Sequence, residues 1–387
     1  MHVPDGFINA PVSAVAGVVA AGAVAVSLRG ARRELAGPPG AGSLGTERTA
    51  PLAGLVAAFI FAVQMLNFPV AAGTSGHLLG GALAAILVGP YTGVLCVSVV
   101  LLMQGVLFAD GGLTALGVNI CDMALTTTVV AYLLFRLLVK VLPRGRRSVT
   151  VASFVASLVS VPCAAVVFTV IYALGGTTDV PLGKVASAMI GVHVLIGIGE
   201  AVITALTVGA VLAVRPDLVY AARGLAPRLK LRVGGELVDA PEQHAPAAAP
   251  APAAAPAPAA ASATSASSGA PAPAPRRSSR KVWLGGLAAS IVLAGFVSFY
   301  ASSSPDGLEK VAHDKGIDKK EKSHASADSP LADYGVKDVG NTRLSGGLAG
   351  VIGVGVTVVA GTGVFWVLRR RRSADAGPAS VPDGERV

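Results

Sequence analysis

The sequence predicts an all-α integral membrane fold, in which a bundle of seven helices is followed by a C-terminal hairpin of two transmembrane helices. Of the 387 residues, 53% are hydrophobic and only 14% are charged, a balance outside the usual range of water-soluble domains. The apolar residues fall in long runs, most of them long enough to cross about 30 Å of hydrocarbon. These runs lack the strict alternation of a β-barrel, so helices are left as the structure that satisfies the backbone in lipid.

The first apolar run, residues 10–28, is expected to be a retained membrane helix and not a cleaved secretory signal. A secretory signal begins with basic residues, whereas here the basic residues follow the run. Lys and Arg concentrate on the cytoplasmic side of membrane proteins. The N-terminus is therefore expected outside the cell, and the following loop in the cytoplasm, on the basis of Arg29, Arg32, Arg33 and Arg48.

The remaining runs of the bundle give six more crossings. They cover residues 51–66, 78–88, 91–108, 120–142, 149–174 and 184–214. Basic residues flank each predicted cytoplasmic loop except the short turn at residues 89–90, and the outer loops at 67–76 and 109–118 contain no Lys or Arg. The count of crossings and the distribution of charge therefore agree.

Changes of composition divide the chain into four regions. Residues 1–220 form the predicted bundle, and residues 221–281 are basic and then rich in Ala and Pro, a composition that favours an extended cytoplasmic linker. Residues 282–372 carry two further apolar runs around a polar segment, with basic residues at both outer ends. This pattern predicts a hairpin whose polar segment lies outside the cell, followed by a cytoplasmic tail at 373–387.

The first two residues can chelate a metal ion. The terminal amine of Met1, the backbone nitrogen of His2 and Nδ1 of its imidazole can close adjacent chelate rings around one ion. A nitrogen plane of this kind suits Ni(II), Cu(II) or low-spin Co(II). Many sequences begin with Met-His by chance, so this pattern alone is weak evidence for a metal site.

A second histidine lies on the same predicted side of the membrane. His77 belongs to a Gly-rich interruption at residues 67–81, and irregular backbone near membrane depth is tolerated where it is buried or lines a cavity. An ordinary outer turn in which His77 caps the next helix explains the residues equally well. A tight turn predicted at residues 4–6 would fold the N-terminus back towards this loop.

Further polar residues are candidates for supporting the metal ligands or for coupling metal binding to transport. His193 and Glu200 are seven residues apart and share one face of the last bundle helix. Ionisable residues within a membrane span are costly and often functional, although a hydrogen bond to a neighbouring helix explains them equally well. The other candidates are Asp5, Asn67, Thr74, Ser75 and Asn119.

The sequence contains no GxxxxGK[ST] phosphate-binding motif and no HExxH or Ser/His/Asp arrangement typical of hydrolases. We therefore expect no enzymatic activity and no nucleotide bound by this chain, with ATP hydrolysis in a separate subunit. The net charge of +9 is divided among short segments between apolar runs. Contact with membrane lipid and not with nucleic acid is expected.

Three motifs in order resemble the CbiM and NikM family, the substrate-binding (S) components of energy-coupling factor importers for cobalt and nickel. They are the opening Met-His-Val-Pro-Asp-Gly-Phe, the GTSGHLLGG core at 73–81 and the segment 193–204. The resemblance implies a seven-helix bundle with a square-planar metal site. Its ligands would be the Met1 amine, the backbone and imidazole nitrogens of His2, and the imidazole of His77.

The C-terminal unit resembles the PDGLE domain through residues 305–312, PDGLEKVA. This resemblance implies a small two-helix N component that is fused to the bundle and helps the ion to reach its site. Fusion keeps the two units at high effective concentration. The resemblance also implies a transmembrane coupling subunit and cytoplasmic ATPase subunits as partners, in a bacterial cell membrane.

Together these observations predict the substrate-capture component of an ATP-driven importer for a divalent transition metal. The resemblance of the bundle favours Co(II) as the substrate, in support of cobalamin synthesis, and Ni(II) uptake by the same mechanism is the alternative. A non-transporting membrane scaffold and a vitamin-binding S component are weaker alternatives. The nitrogen ligands and the small outer loop argue against a vitamin.

Overall fold

The computed structural model describes residues 1–35, 49–71, 73–222, 230–233, 236–239 and 280–375. The predicted all-helical membrane fold is confirmed: in these ranges seven helical spans are long and apolar enough to cross a bilayer. Five belong to the N-terminal unit and two to the C-terminal unit. Most of the predicted linker and of the predicted C-terminal tail lies outside the described residues.

The helices of the N-terminal unit follow the predicted apolar runs. Asn9 begins the first of them, because its side chain accepts a hydrogen bond from Val12 N at 3.0 Å. The π-helical segment Ile120–Thr126 joins two helices into one continuous span. The helices are α1 (Ala10–Glu34), α2 (Thr49–Gln64), α3 (Gly81–Val88), α4 (Pro90–Leu107), α5 (Leu116–Asn119), α6 (Thr127–Val141), α7 (Arg146–Gly175) and α8 (Leu182–Val214).

The predicted third crossing is shorter than its apolar run suggested. Helix α3 has eight residues, a length of about 12 Å at 1.5 Å per residue, which is less than half of the hydrocarbon thickness. Gly80 precedes it at φ +89° and Gly89 follows it at φ +101°. All residues of α3 are buried, and the helix packs against α4, α6, α7 and α8. Its apolar composition therefore reflects enclosure by other helices.

A small hairpin occupies the predicted loop between α2 and α3. Strands β1 (Phe68–Ala71) and β2 (Thr74–Gly76) are antiparallel, with Phe68 opposite Gly76 and Pro69 opposite Ser75. His77 follows the end of β2 directly. A second antiparallel pair, β3 (Lys230–Val233) and β4 (Glu236–Asp239), lies within the predicted linker.

The C-terminal unit packs against the bundle. It consists of α9 (Arg280–Gly295), a short 3-10 turn at Val297–Tyr300, α10 (Gly307–Lys315) and α11 (Thr342–Asp375). Helices α9 and α11 both contact α2, and a Cβ atom at Gly54 of α2 would collide with Thr362 of α11. Small residues allow such close approach of membrane helices. The polar segment between α9 and α11 covers the end of the bundle that holds the N-terminus.

Candidate metal centre

The N-terminal segment is held inside the end of the bundle by backbone hydrogen bonds. The side-chain amide of Asn119 accepts from Val3 N at 2.7 Å and donates to Val3 O at 3.3 Å. Gly112 N donates to the same carbonyl at 2.9 Å. Met1 is only 2% exposed. The terminal amine therefore has a fixed position within the protein.

The turn predicted at residues 4–6 is present, and Gly6 adopts φ +92°. The carboxylate of Asp5 accepts hydrogen bonds from the backbone N–H of Thr114, at 2.8 Å, and from its hydroxyl. The carbonyl of Asp5 accepts from Lys322 N at 2.9 Å. Asp5 thus fixes the turn to the loop after α4 and to the C-terminal unit.

His77 is presented by a loop whose backbone is anchored on both sides. Its Nδ1 donates to Leu78 O at 3.1 Å, which leaves the lone pair of Nε2 free for another partner. Glu200 accepts from Leu79 N at 2.7 Å, and Gln64 donates to Leu79 O at 2.9 Å. Helix α3 begins after Gly80, which serves as its N-cap without a side-chain bond. His77 is therefore not the cap of the next helix, as one sequence interpretation had it.

The structure brings the three predicted ligand residues together. The Met1 amine lies 2.8 Å from Nε2 of His77. The imidazoles of His2 and His77 stack, with 5.0 Å between ring centroids and an interplanar angle of 18°. Met1 and His77 are 76 positions apart in the chain, so their convergence is a property of the fold.

His2 has its own set of polar neighbours. Its Nδ1 lies 3.1 Å from Oδ1 of Asp110, and its Nε2 lies 3.2 Å from Oε1 of Gln104. Burial lowers the pKa of His2 to about 4, although Asp110 acts in the opposite direction. A neutral imidazole is the form that ligates metals. Asp110 also accepts a hydrogen bond from Tyr334 Oη at 2.6 Å, which connects His2 to the C-terminal unit.

Asp306 belongs to this cluster and was missed by sequence analysis. Its Oδ2 lies 2.8 Å from the Met1 amine and 3.6 Å from Nε2 of His77. His2, His77 and Asp306 offer ligand atoms within 4.8 Å of one another. Burial favours a higher pKa for Asp306, but the terminal ammonium and His77 outweigh it and hold the pKa well below its usual range.

The PDGLE motif positions Asp306 through its neighbours. Asp306 caps α10 by accepting from Glu309 N at 2.8 Å, and Glu309 accepts from Asp306 N at 3.2 Å. This capping box is visible in the sequence as Asp followed three residues later by Glu, a pattern that signals a helix start and not a metal site. Gly307 packs so closely on α8 that its Cβ would lie 2.8 Å from Cγ1 of Val192.

The hairpin before His77 contacts the same motif. Ser75 N donates to Pro305 O at 2.8 Å, and its hydroxyl donates to Ser304 O at 2.7 Å. Ser75 and Thr74 are both buried in β2. Asn67 directly precedes β1, and its backbone carbonyl accepts a hydrogen bond from Ser302 N at 2.7 Å. Ser75 and Asn67 thus attach the C-terminal unit to the loop that presents His77.

His193 and Glu200 are both buried on α8, and their roles differ. Glu200 anchors the loop after His77, as described above. His193 donates from Nδ1 to Met189 O at 2.7 Å, and its ring lies beside Gly307. Among the described residues His193 Nε2 has no hydrogen-bond partner. The structure therefore places His193 beneath the PDGLE motif and outside the cluster of Met1, His2 and His77.

A cavity of about 420 Å³ opens between the bundle and the C-terminal unit. His2, His77 and Asp306 line it together with three further carboxylates, those of Asp110, Glu309 and Asp333. Acidic groups at the wall of a cleft raise the local concentration of cations. Arg343 also lines the cavity, which opens onto the cluster of His2, His77 and Asp306.

Comparison with known proteins identifies both units. The family described as cobalt uptake substrate-specific transmembrane region matches residues 2–218, and the PDGLE domain matches residues 280–370. A Haloquadratum walsbyi protein named "Putative metal transport protein" is 37% identical over 234 residues, which cover 60% of this chain and all of that protein.

The names of two further relatives specify a metal. The fused nickel transport protein NikMN of Rhodobacter capsulatus is 32% identical over 246 residues, which cover 60% of this chain and 68% of the relative. The cobalt transport protein CbiM of Sorangium cellulosum is 32% identical over 226 residues, which cover 56% of this chain and 94% of the relative. The chain therefore belongs to the CbiM family, is fused to a PDGLE domain, and is a multi-pass membrane component of cobalt or nickel transport.

Proposed function

We propose that this chain captures a divalent cobalt or nickel ion at the outer face of the cell membrane and delivers it to an ATP-driven importer of the energy-coupling factor type. The observation that carries the proposal is the 2.8 Å separation of the Met1 amine and Nε2 of His77. Two ligands at right angles and about 2 Å from one metal ion lie about 2.8 Å apart. The two nitrogens thus have the spacing of adjacent ligands.

His2 completes the proposed ligand set with its backbone nitrogen and Nδ1. In the structure Nδ1 is paired with Asp110, so chelation requires the imidazole to exchange this carboxylate for the ion. The backbone nitrogen ligates only after losing its proton, and the Met1 amine must also be neutral. Metal binding therefore releases protons and weakens in acid.

The proposed orientation has the N-terminus outside and the C-terminus in the cytoplasm. Basic residues at the opposite end of the bundle support a cytoplasmic position for that end: Arg144 lies between α6 and α7, and Arg146 and Arg147 begin α7. The polar segment of the C-terminal unit meets the N-terminal segment through the bond from Lys322 N to Asp5 O. Both segments thus lie on the proposed outer side.

The proposed partners are a transmembrane coupling subunit and cytoplasmic ATPase subunits. The sequence has no phosphate-binding loop, so the energy for release of the ion has to come from another chain. The proposed domain organisation assigns residues 1–220 to metal capture, residues 221–281 to a linker and residues 282–372 to the fused N component. Fusion would keep Asp306 beside the bundle without a separate binding step.

The resemblance of the bundle favours Co(II) as the transported ion. A specific observation supports Ni(II) as the second candidate. The Rhodobacter capsulatus relative is named as a fused nickel transport protein, and this chain is also a fusion. Both ions accept nitrogen ligands, so the coordination set does not separate them. Uptake of radioactive Co(II) in competition with unlabelled Ni(II), and the reverse experiment, shows which of the two ions the transporter prefers.

Uptake of radioactive metal by cells that express the chain with its partner subunits tests the proposal. We expect uptake to be lost in His77→Ala and retained in His313→Ala, which removes a histidine whose side chain is 77% exposed. No uptake by the native chain would favour a membrane scaffold. Suppression of metal uptake by vitamins would favour a vitamin-binding component. Equal uptake by the two variants would reject the metal site.

A further inference from the structure

We propose that Asp306 of the C-terminal unit supplies a carboxylate ligand to the captured metal ion, so that residues of both units complete one metal centre. The proposal rests on the proposed function, because it concerns the same ion. It adds a fifth ligand, an oxygen, to the four nitrogens of the N-terminal unit. The evidence lies in the spacing of the ligand atoms, in the charge of the site and in the way Asp306 is held.

The spacing fits a shared ion. The Met1 amine is 2.8 Å from both Nε2 of His77 and Oδ2 of Asp306, and the latter two atoms are 3.6 Å apart. A triangle with these sides has a common point about 2 Å from all three corners, which is the usual metal–nitrogen and metal–oxygen distance. A metal ion can therefore contact all three atoms without movement of the backbone.

Two carboxylates flank the proposed ligands. Oδ2 of Asp306 lies 2.8 Å from the Met1 amine, and Oδ1 of Asp110 lies 3.1 Å from Nδ1 of His2. A buried positive charge is costly without a partner of opposite charge, so a carboxylate in contact with the ion offsets part of its charge.

Asp306 is also held in place before the ion arrives. Its Oδ1 caps α10, which leaves Oδ2 for the Met1 amine. The preceding carbonyl, that of Pro305, accepts from Ser75 N, and the following Gly307 packs against Val192. A ligand whose conformation is fixed by its neighbours loses little entropy when the metal binds. The side chain is 17% exposed and faces the acidic cavity, so an ion can reach it.

Two measurements on the purified full-length protein test this proposal. Calorimetric titration with Ni(II) is expected to show an affinity at least tenfold weaker for Asp306→Asn than for the native chain. Asn is as good a helix N-cap as Asp, so this variant keeps the start of α10. The control is Asp314→Asn on the same helix, which removes only an exposed pair with Lys310 and should leave the affinity unchanged.

Electron paramagnetic resonance of the same proteins saturated with Cu(II) separates a ligand from a residue that merely supports the fold. We expect the spectrum of Asp306→Asn to differ from the native spectrum, and the spectrum of Asp314→Asn to match it. Matching native and Asp306→Asn spectra, or unchanged Ni(II) affinity, would overturn the proposal. Loss of Ni(II) binding in His77→Ala alone would then leave the proposed function standing, whereas native binding in His77→Ala would reject the proposed function itself.

Discussion

The carboxylate of Glu200 accepts hydrogen bonds from the backbone N–H groups of Leu79, at 2.7 Å, and Gly80, at 3.3 Å. Helix α3 has no side-chain cap of its own, so Glu200 satisfies N–H groups that would otherwise be buried without partners. The same two bonds fix the backbone directly after His77. A carboxylate on α8 thus positions the loop that presents the proposed metal ligand His77.

Replacement of Glu200 by Ala should therefore weaken both the fold and the metal site. Each buried N–H left without a partner costs about 1–3 kcal/mol. We expect a lower thermal unfolding temperature and a Ni(II) affinity reduced at least tenfold, as measured by thermal denaturation and calorimetry. The matched control is Glu321→Ala at an exposed position, where neither quantity should change. Native affinity in Glu200→Ala would show that the loop holds its conformation without Glu200.

Asn119→Ala should release the N-terminal segment. The side chain of Asn119 makes two hydrogen bonds to the backbone of Val3, and both would be lost in this variant. We expect Ni(II) affinity to fall about tenfold, because the Met1 amine is then held less firmly beside His77. Asn119→Asp retains the acceptor and loses the donor, so its affinity should be intermediate. An affinity equal to the native value in both variants would contradict this role.

Gly307→Ala should displace the PDGLE motif from the bundle. The added Cβ would lie 2.8 Å from Cγ1 of Val192 and 3.0 Å from Cδ1 of Ile196, so these side chains or the two helices must shift. A lower unfolding temperature and weaker Ni(II) binding are expected by thermal denaturation and calorimetry. Gly340→Ala serves as the control, because a Cβ at Gly340 meets no atom within 4 Å. Equal behaviour of the two variants would argue against tight packing at Gly307.

Metal binding should release about two protons per ion, one from the Met1 ammonium and one from the His2 amide. The dissociation constant should then rise about 100-fold for each unit by which the pH falls while both groups are protonated in the free protein. Calorimetry in buffers of different ionisation enthalpy counts the protons. Release of no protons would show that neither nitrogen is a ligand.

The membrane helices were predictable because hydropathy and the basic loops report directly on burial in lipid. The apolar run at 78–88 was a weaker guide, since a short helix enclosed by protein has the same composition as part of a membrane span. The cluster of Met1, His2 and His77 was implied by the resemblance to the CbiM and NikM family, whereas chelating chemistry and the predicted side of the membrane left an ordinary outer turn at His77 as an equal alternative. The helices are therefore visible from local sequence patterns, whereas the prediction of the cluster depended on the resemblance of three motifs.

Asp306 and Asp110 were not predictable in the same way. Asp306 is 305 positions from Met1 along the chain, and the docking of the C-terminal unit alone brings the two together. Its sequence signature, the capping box with Glu309, is explained fully by the start of α10. Asp110 follows α4 in a loop that was predicted to lie outside the cell, where a carboxylate is ordinary. Contacts between units depend on tertiary packing and leave no periodic pattern in the sequence.

The most direct test of the account concerns the Met1 amine as a metal ligand. Three residues, Gly-Ser-Gly, appended before Met1 convert this amine into a peptide nitrogen and move the free amine away from His77. The same three residues appended at the C-terminus provide the control. Calorimetric titration with Ni(II) should show affinity at least 100-fold weaker for the N-terminal extension and unchanged for the C-terminal one. Native affinity with the N-terminal extension would contradict the proposed coordination.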